Sequence, residues 1–156
     1  MNVNPRTAET LLPWGITLLR IVAGIVFFMH GQQKLFSMGI DGVSGFFGSL
    51  GIPAPQLAAI VVSLLETIGG LALIAGVLTR VVGVLLAGDM LVALFLVHRP
   101  NGFFAGDGGI ELVFLLAGVA LALALTGPGS LAVDGLLPNA RERRLPSQTN
   151  IATSRG

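Results

Sequence analysis

Residues 55–80 (PQLAAIVVSLLETIGGLALIAGVLTR) form an apolar run of membrane length with a glutamate, Glu66, near its middle. At a rise of 1.5 Å per residue, a helix of this length crosses the hydrocarbon core of a bilayer, which is ~30 Å thick. A lone carboxylate in hydrocarbon costs about 2.5–3.5 kcal/mol on insertion scales, so Glu66 must face a partner, a proton or a wet cavity. This run therefore constrains the whole fold, because other spans have to cover its acidic side chain.

The composition supports a membrane protein. The chain has 156 residues, of which 53% are hydrophobic and 11% charged, and its mean hydropathy is +0.86. A soluble domain carries about 25% charged residues. We therefore expect the lipid bilayer to be the main partner and no nucleic-acid partner. The formal net charge of +1 by itself says little about partners. The absence of cysteine excludes disulfide exchange, thiolate catalysis and Cys-ligated zinc or iron–sulfur sites.

Apolar runs predict an all-α membrane protein, a bundle of four antiparallel transmembrane helices. The predicted spans are residues 14–30, 56–78, 81–97 and 110–126. They lie in a transmembrane domain over residues 14–137, preceded by an N-terminal segment (1–13) and followed by a basic, disordered cytoplasmic tail (138–156).

Residues 35–55, between the first two spans, are rich in glycine but also carry three phenylalanines. They are either a short amphipathic segment folded onto the bundle mouth or the membrane surface, or an ordinary connecting loop.

The basic residues predict the orientation. Arg6, Arg80 and the arginines after residue 140 fall on one side of the four spans, whereas Lys34 and Arg99 fall on the other. Cytoplasmic loops carry the excess of lysine and arginine, so both termini are predicted to be cytoplasmic in an inner (plasma) membrane. The cytoplasmic end of the bundle is called the inner end below, and the opposite end the outer end.

Three ionisable residues are predicted to lie inside the bundle, namely Arg20, Glu66 and Asp89. A guanidinium that leaves water needs an opposite charge, so we predict that Arg20 pairs with Glu66 or Asp89. Such a pair is either a static salt bridge that sets helix register, or part of a proton relay or ligand site if one carboxylate is left over.

A second group of polar residues is predicted at the outer end. Its members are His30, Lys34, His98, Arg99 and Glu111. No metal site is predicted, because the group lacks close i, i+4 ligand spacing and its two cations would repel a metal ion. Snorkelling at the interface would explain these residues without function. As a binding site, they suit a quinone or an anionic headgroup.

Three sequence blocks resemble the motifs of the DoxX family of small bacterial and archaeal membrane proteins. The blocks are LLRIVAGIVFFMHGQQKLF (18–36), LLETIGGLALIAGVLTR (64–80) and LTGPGSLAVDGLL (125–137). The resemblance implies a four-helix inner-membrane protein and matches motif positions that include Arg20, Lys34, Glu66 and Glu111. Asp89 has no counterpart in the pattern. Some members of the family are small subunits of a thiosulfate:quinone oxidoreductase, and others belong to membrane complexes that handle oxidative or thiol stress.

Three functions follow as hypotheses. The first is a subunit of a membrane redox complex that binds a quinone or small anion at the outer end and exchanges electrons with a soluble or membrane partner, since the sequence shows no intrinsic cofactor site. The second is a non-enzymatic scaffold that recruits soluble redox or stress-response partners. The third is a small transporter, for which four helices would need to form a homo-oligomer.

Overall fold

The computed structural model describes the backbone of residues 5–136 and the side chains of residues 9–135, and all regular structure in that range is helical. The α-helices are α1 (Pro5–Gln32), α2 (Gly39–Ser49), α3 (Pro55–Ala75), α4 (Thr79–Ala93) and α5 (Glu111–Thr126). Two short π-helical segments, Gln33–Met38 and Leu94–His98, extend α1 and α4 at the outer end. Three helical runs are long and apolar enough to cross a membrane, and α5 is a shorter apolar helix. The predicted four-helix bundle is confirmed, whereas the predicted tail lies outside the described residues.

The first helix begins at Pro5 rather than near Trp14. Pro13, which suits a first helical turn, instead lies inside α1. The residues before it are mostly good helix formers, so the loss of one N–H at Pro13 does not end the helix. The Pro13 carbonyl also accepts hydrogen bonds from the Thr17 hydroxyl at 2.9 Å and from the Ser130 backbone N–H at 3.2 Å.

Residues 33–49 form an amphipathic helical segment, so the connecting-loop interpretation is wrong. The chain turns at Gly39, whose φ of 71° is readily adopted only by glycine. Helix α2 then packs on α3 and buries Val43 and Phe47 against Ala59. This segment consequently forms one wall of the outer end of the bundle.

Helices α1 and α3 pack very closely, through glycines. A Cβ atom on Gly70 of α3 would lie 2.5 Å from the Phe28 backbone nitrogen, and one on Gly31 of α1 would lie 2.5 Å from the Thr67 nitrogen. Only glycine allows two helix backbones to approach so closely. The helices run antiparallel, so residues toward the C-terminus of α1 face residues toward the N-terminus of α3. The glycine contacts therefore fix which side chains of α1 and α3 face each other.

Candidate functional site: a polar cavity at the outer end

The buried ion pair at the outer end joins Lys34 and Glu66. The Lys34 Nζ atom donates to Glu66 Oε2 at 2.5 Å, and Glu66 is only 3% exposed. The register of α1 on α3 explains the pairing, because Lys34 follows Gly31 by one turn and Glu66 directly precedes Thr67, which faces Gly31. Lys34 was predicted at the outer end, either as a ligand-binding residue or as a side chain that snorkels to the interface. The structure pairs it with the carboxylate in the middle of α3.

The predicted pairing of Arg20 with Glu66 or Asp89 is wrong. Arg20 lies against Gly76, beyond the opposite end of α3, and its Nη2 atom donates to the Leu131 carbonyl. Arg20 lies about four turns before Lys34 along the same helical run. Because this run is antiparallel to α3, Arg20 meets α3 at its inner end, about 15 Å from Glu66 by helical rise. Arg20 interacts electrostatically with the carboxylate of Asp134.

Asp89 of α4 completes the polar end of the site. Its Oδ2 atom is buried and has no hydrogen-bond partner within the described part of the chain. The charged groups that act on this carboxylate are Glu66 and Lys34. We call Lys34, Glu66 and Asp89 the outer cluster. It contains two carboxylates and one ammonium, so it carries one excess negative charge when all three side chains are ionised.

A cavity of about 310 Å³ adjoins the outer cluster. All three residues of the outer cluster line it, together with His30 and His98. Its remaining walls are apolar and come from α1, α2, α3, α4 and α5, through side chains such as Phe27, Val43, Phe47, Val62, Met90 and Val113. The arrangement is an apolar chamber with ionisable groups gathered along part of its wall.

Both histidines have one ring nitrogen held by a backbone carbonyl. His30 Nδ1 lies 2.9 Å from the Val26 oxygen, and His98 Nδ1 lies 2.7 Å from the Gly108 oxygen. A carbonyl only accepts, so Nδ1 carries the hydrogen, and in a neutral ring Nε2 is left as an acceptor. His98 and Lys34 both lie in π-helical segments, which occur frequently at functional sites.

Two of the predicted ligand-binding residues do not line the cavity. Arg99 is exposed in a short 3₁₀ turn, and Glu111 is exposed and accepts a hydrogen bond from the Ala105 backbone N–H at 2.9 Å. Glu111 therefore holds the loop before α5. No group of three or more histidine or acidic side chains suited to a metal ion occurs among the described residues.

The inner end is closed by residues 127–136, which we call the inner strap. Asp134 of the strap accepts hydrogen bonds from the backbone N–H groups of Leu78 at 2.8 Å and Thr79 at 3.0 Å, where α4 begins. Thr17 Oγ1 accepts one from the Ser130 N–H at 2.8 Å. These contacts were not predicted: the strap was expected only to leave the membrane, and Asp134 has no local signal because its partners lie more than fifty positions away.

The comparisons agree with this architecture. The sequence profile of the DoxX family matches residues 15–99. The Bacillus subtilis (strain 168) protein named "Putative oxidoreductase CatD" is 40% identical over 120 residues, which cover 77% of this chain and 84% of that protein. The inner membrane protein YqjF of Escherichia coli (strain K12) is 35% identical over 127 residues, covering 79% and 92% of the two chains.

A further relative from Escherichia coli (strain K12), the inner membrane protein YphA, is 30% identical over 124 residues, covering 76% of this chain and 87% of its own. No solved structure matches the chain. The names of these relatives and the apolar helices confirm the predicted location in the inner membrane.

Proposed function

Because the chain belongs to the DoxX family of membrane proteins, we propose that it is a subunit of a membrane redox complex whose outer cavity binds the headgroup of a quinol. The observation that carries the proposal is the buried Oδ2 atom of Asp89, which lies at the wall of a chamber that is apolar apart from the outer cluster and the two histidines. A buried carboxylate oxygen is costly unless something donates to it, and a ligand hydroxyl is such a donor.

The cavity fits such a ligand. Its volume of about 310 Å³ lies at the lower end of the range for small-molecule sites, ~300–1,000 Å³. The apolar walls suit a ring, and the acceptors at Asp89, His30 and His98 suit its hydroxyl groups.

The charge of the outer cluster selects between the two ligands that the sequence suggested. Lys34 is already paired with Glu66, and Arg99 lies outside the cavity. Among the described residues, no unpaired lysine or arginine lines the cavity, so the site disfavours a small anion and favours a neutral ligand that forms hydrogen bonds with Asp89. A quinol meets this requirement better than an anion does.

The residues then have distinct roles. Asp89 accepts the hydrogen bond of one hydroxyl and takes its proton, and the neutral Nε2 of His30 or His98 accepts from the second hydroxyl. The Lys34–Glu66 pair lies beside Asp89 and adjusts to its change of charge. Oxidation of a quinol to a quinone releases two protons and two electrons, and the electrons pass to an acceptor protein of the complex.

The proposal is tested by equilibrium binding of a decyl-tailed benzoquinol, kept reduced under argon, to the protein in lipid nanodiscs. Hydrogen bonds to charged acceptors are stronger than those to neutral ones by about 1–1.5 kcal/mol, so Asp89→Asn should weaken quinol binding roughly tenfold. It should weaken binding of the oxidised quinone less, because a quinone has no hydroxyl to donate. Asp107→Asn, the same change at an exposed loop position, serves as the matched control.

Saturable quinol binding that Asp89→Asn leaves unchanged would contradict the role of Asp89. The absence of saturable binding in the wild-type protein would remove the redox proposal and favour the second candidate, a membrane scaffold. A specific observation supports that candidate: Phe103 and Phe104 form an edge-to-face pair in the loop before α5, and both are more than half exposed. Exposed aromatic residues on a loop are typical of docking surfaces.

A further inference from the structure

The outer cavity has an apolar rim. Four of the side chains that line it are also exposed on the surface of the protein: Met38 (47%), Phe46 (43%), Val92 (55%) and Leu112 (38%). The cavity is not enclosed, and the side chains that both line it and reach the surface mark the part of its wall where we place the opening. All four are apolar, whereas an opening onto water would be expected to carry polar groups.

The opening lies between two parts of the bundle. Met38 and Phe46 belong to the segment of the first π-helical turn and α2, whereas Val92 is on α4 and Leu112 on α5. Within residues 5–136, α2 packs extensively on α3 but not on α4 or α5. The wall formed by α2 is therefore fixed along one side only, and the gap faces sideways from the bundle.

The position of Val92 along α4 places this part of the rim within a helical run that is long and apolar enough to cross a membrane. Val92 lies six residues before His98, the end of the second π-helical segment, or about 9 Å inward by helical rise. Its neighbours Leu91 and Phe95 are exposed as well, so this surface of α4 is apolar and faces lipid.

We propose that the outer cavity opens laterally into the hydrocarbon core through the gap between α2 and the α4–α5 pair, and that its quinol carries an apolar isoprenoid-type tail which lies in this gap. The headgroup then contacts the outer cluster while the tail leaves between Phe46 and Val92 into the bilayer. The identity of the ligand rests on the proposed function, whereas the lateral opening rests only on the rim.

The opening is tested without any quinol. The wild-type protein is reconstituted with a phospholipid that carries a photoactivatable diazirine on its acyl chain, and the labelled residues are mapped by mass spectrometry. Met90 and Val113 line the cavity and are only 5% and 7% exposed, so they are labelled only if an acyl chain enters. Leu86, which is buried but does not line the cavity, is the internal control and should remain unlabelled.

A bulky residue at the rim should block this labelling. Val92→Trp is expected to lower the label on Met90 and Val113 at least fivefold, and Val84→Trp, at an equally exposed position on the same helix, should leave it unchanged. Val92→Phe repeats the test if the tryptophan variant does not fold. Label confined to exposed residues such as Leu91 and Phe114, or internal label that Val92 variants do not reduce, would overturn the lateral opening.

The role of the tail is tested by comparing decyl-tailed and tailless benzoquinols of the same ring, after correction for partition into protein-free nanodiscs. The wild-type protein should bind the decyl-tailed quinol at least tenfold more tightly than the tailless one. Val92→Trp should bring the two affinities close together. Equal affinities for the two quinols would overturn the placement of the tail. Internal lipid labelling without binding of either quinol would leave the opening intact and remove the proposed function instead.

Discussion

The helical run formed by α1 and the π-helical segment after it carries a positive charge toward each end of the bundle, but the surroundings of the two charges differ. At the inner end, Arg20 is 1% exposed and donates to the backbone of the inner strap, and a Cβ atom on Gly76 would collide with its guanidinium. At the outer end, Lys34 meets side-chain carboxylates beside a cavity of about 310 Å³. The guanidinium meets one backbone carbonyl and close packing, and its Nε and Nη1 atoms have no hydrogen-bond partner among the described residues. The comparison indicates that the packed end uses its charge to hold helices together, whereas the end with a cavity leaves room for a ligand beside its charges.

The largest loss of stability is expected from a larger side chain at Gly76, which packs against Arg20. Gly76 has φ = 71°, and a Cβ atom there would also lie 2.6 Å from the Ala132 Cβ. Gly76→Val adds a strained backbone conformation to overpacking, so it should lower the free energy of unfolding by about 4 kcal/mol. Thermal unfolding in mild detergent measures the change. Gly88→Val, at a position with no neighbouring atom within 4 Å, is the control, and equal stability of the two variants would mean that the inner end is not tightly packed.

The next largest effect is expected at the outer ion pair. Lys34→Ala leaves Glu66 buried without its cation and should destabilise the protein by about 3 kcal/mol. The double variant Lys34→Met with Glu66→Leu should recover most of this loss, because apolar residues of similar volume often replace a buried pair without penalty. A double-mutant cycle completed by the single variants Lys34→Met and Glu66→Leu, measured by unfolding in detergent, gives the coupling. If the double variant is no more stable than Lys34→Ala, the pair does not act as a unit.

A smaller effect is expected at the inner strap. Asp134→Ala removes the acceptor of the Leu78 and Thr79 N–H groups and the charge that faces Arg20, which should cost about 2 kcal/mol. Leu78 has φ = 49°, unusual for a leucine, so loss of these bonds should also loosen the turn between α3 and α4. Hydrogen exchange of the Leu78 and Thr79 amides should increase in Asp134→Ala and not in Asp107→Ala. Unchanged exchange would show that the strap does not cap α4.

The smallest effect should have the opposite sign. Asp89 buries a carboxylate oxygen for which the described residues provide no hydrogen-bond donor, so Asp89→Leu should raise the free energy of unfolding by about 1 kcal/mol while abolishing quinol binding. Asp89→Asn should fall between the wild type and Asp89→Leu in stability. Destabilisation by Asp89→Leu to the extent expected for Lys34→Ala would make Asp89 a structural partner, and the contrast between the two ends would disappear.

The helices and the burial of the charged residues could be predicted from the sequence, because both depend on local composition. The apolar runs gave α3, α4 and α5 nearly as observed, and Arg20 and Glu66 are buried as expected. Their partners depend on how α1 is aligned with α3, which no local pattern encodes. The glycines at positions 24, 31 and 70 indicate this alignment, because they lie where the two helices touch. An antiparallel alignment through them brings Lys34, not Arg20, to Glu66.

Two further features depend on chain geometry that hydropathy does not reveal. The π-helical segment Gln33–Met38 changes the rotation of the chain at Lys34, and the inner strap returns beneath the bundle to reach residues on α1 and α4. Asp134 therefore looked like a loop residue after the last span. Arg80 is similar: in the sequence it served only to predict the orientation, but it donates to the carbonyls of Ala124 and Leu125 at the end of α5.

Arg20 of α1 and Lys34 of the π-helical segment that follows it lie on one helical run, and this has a mechanical consequence. We expect the contact of Arg20 with the strap to restrain rotation of this run about its long axis, and thereby to influence the position of the lysine ammonium four turns away. A substitution at the inner end should therefore displace a group at the outer end without touching it, and defects in the affinity of the proposed ligand should arise from both ends of this helical run.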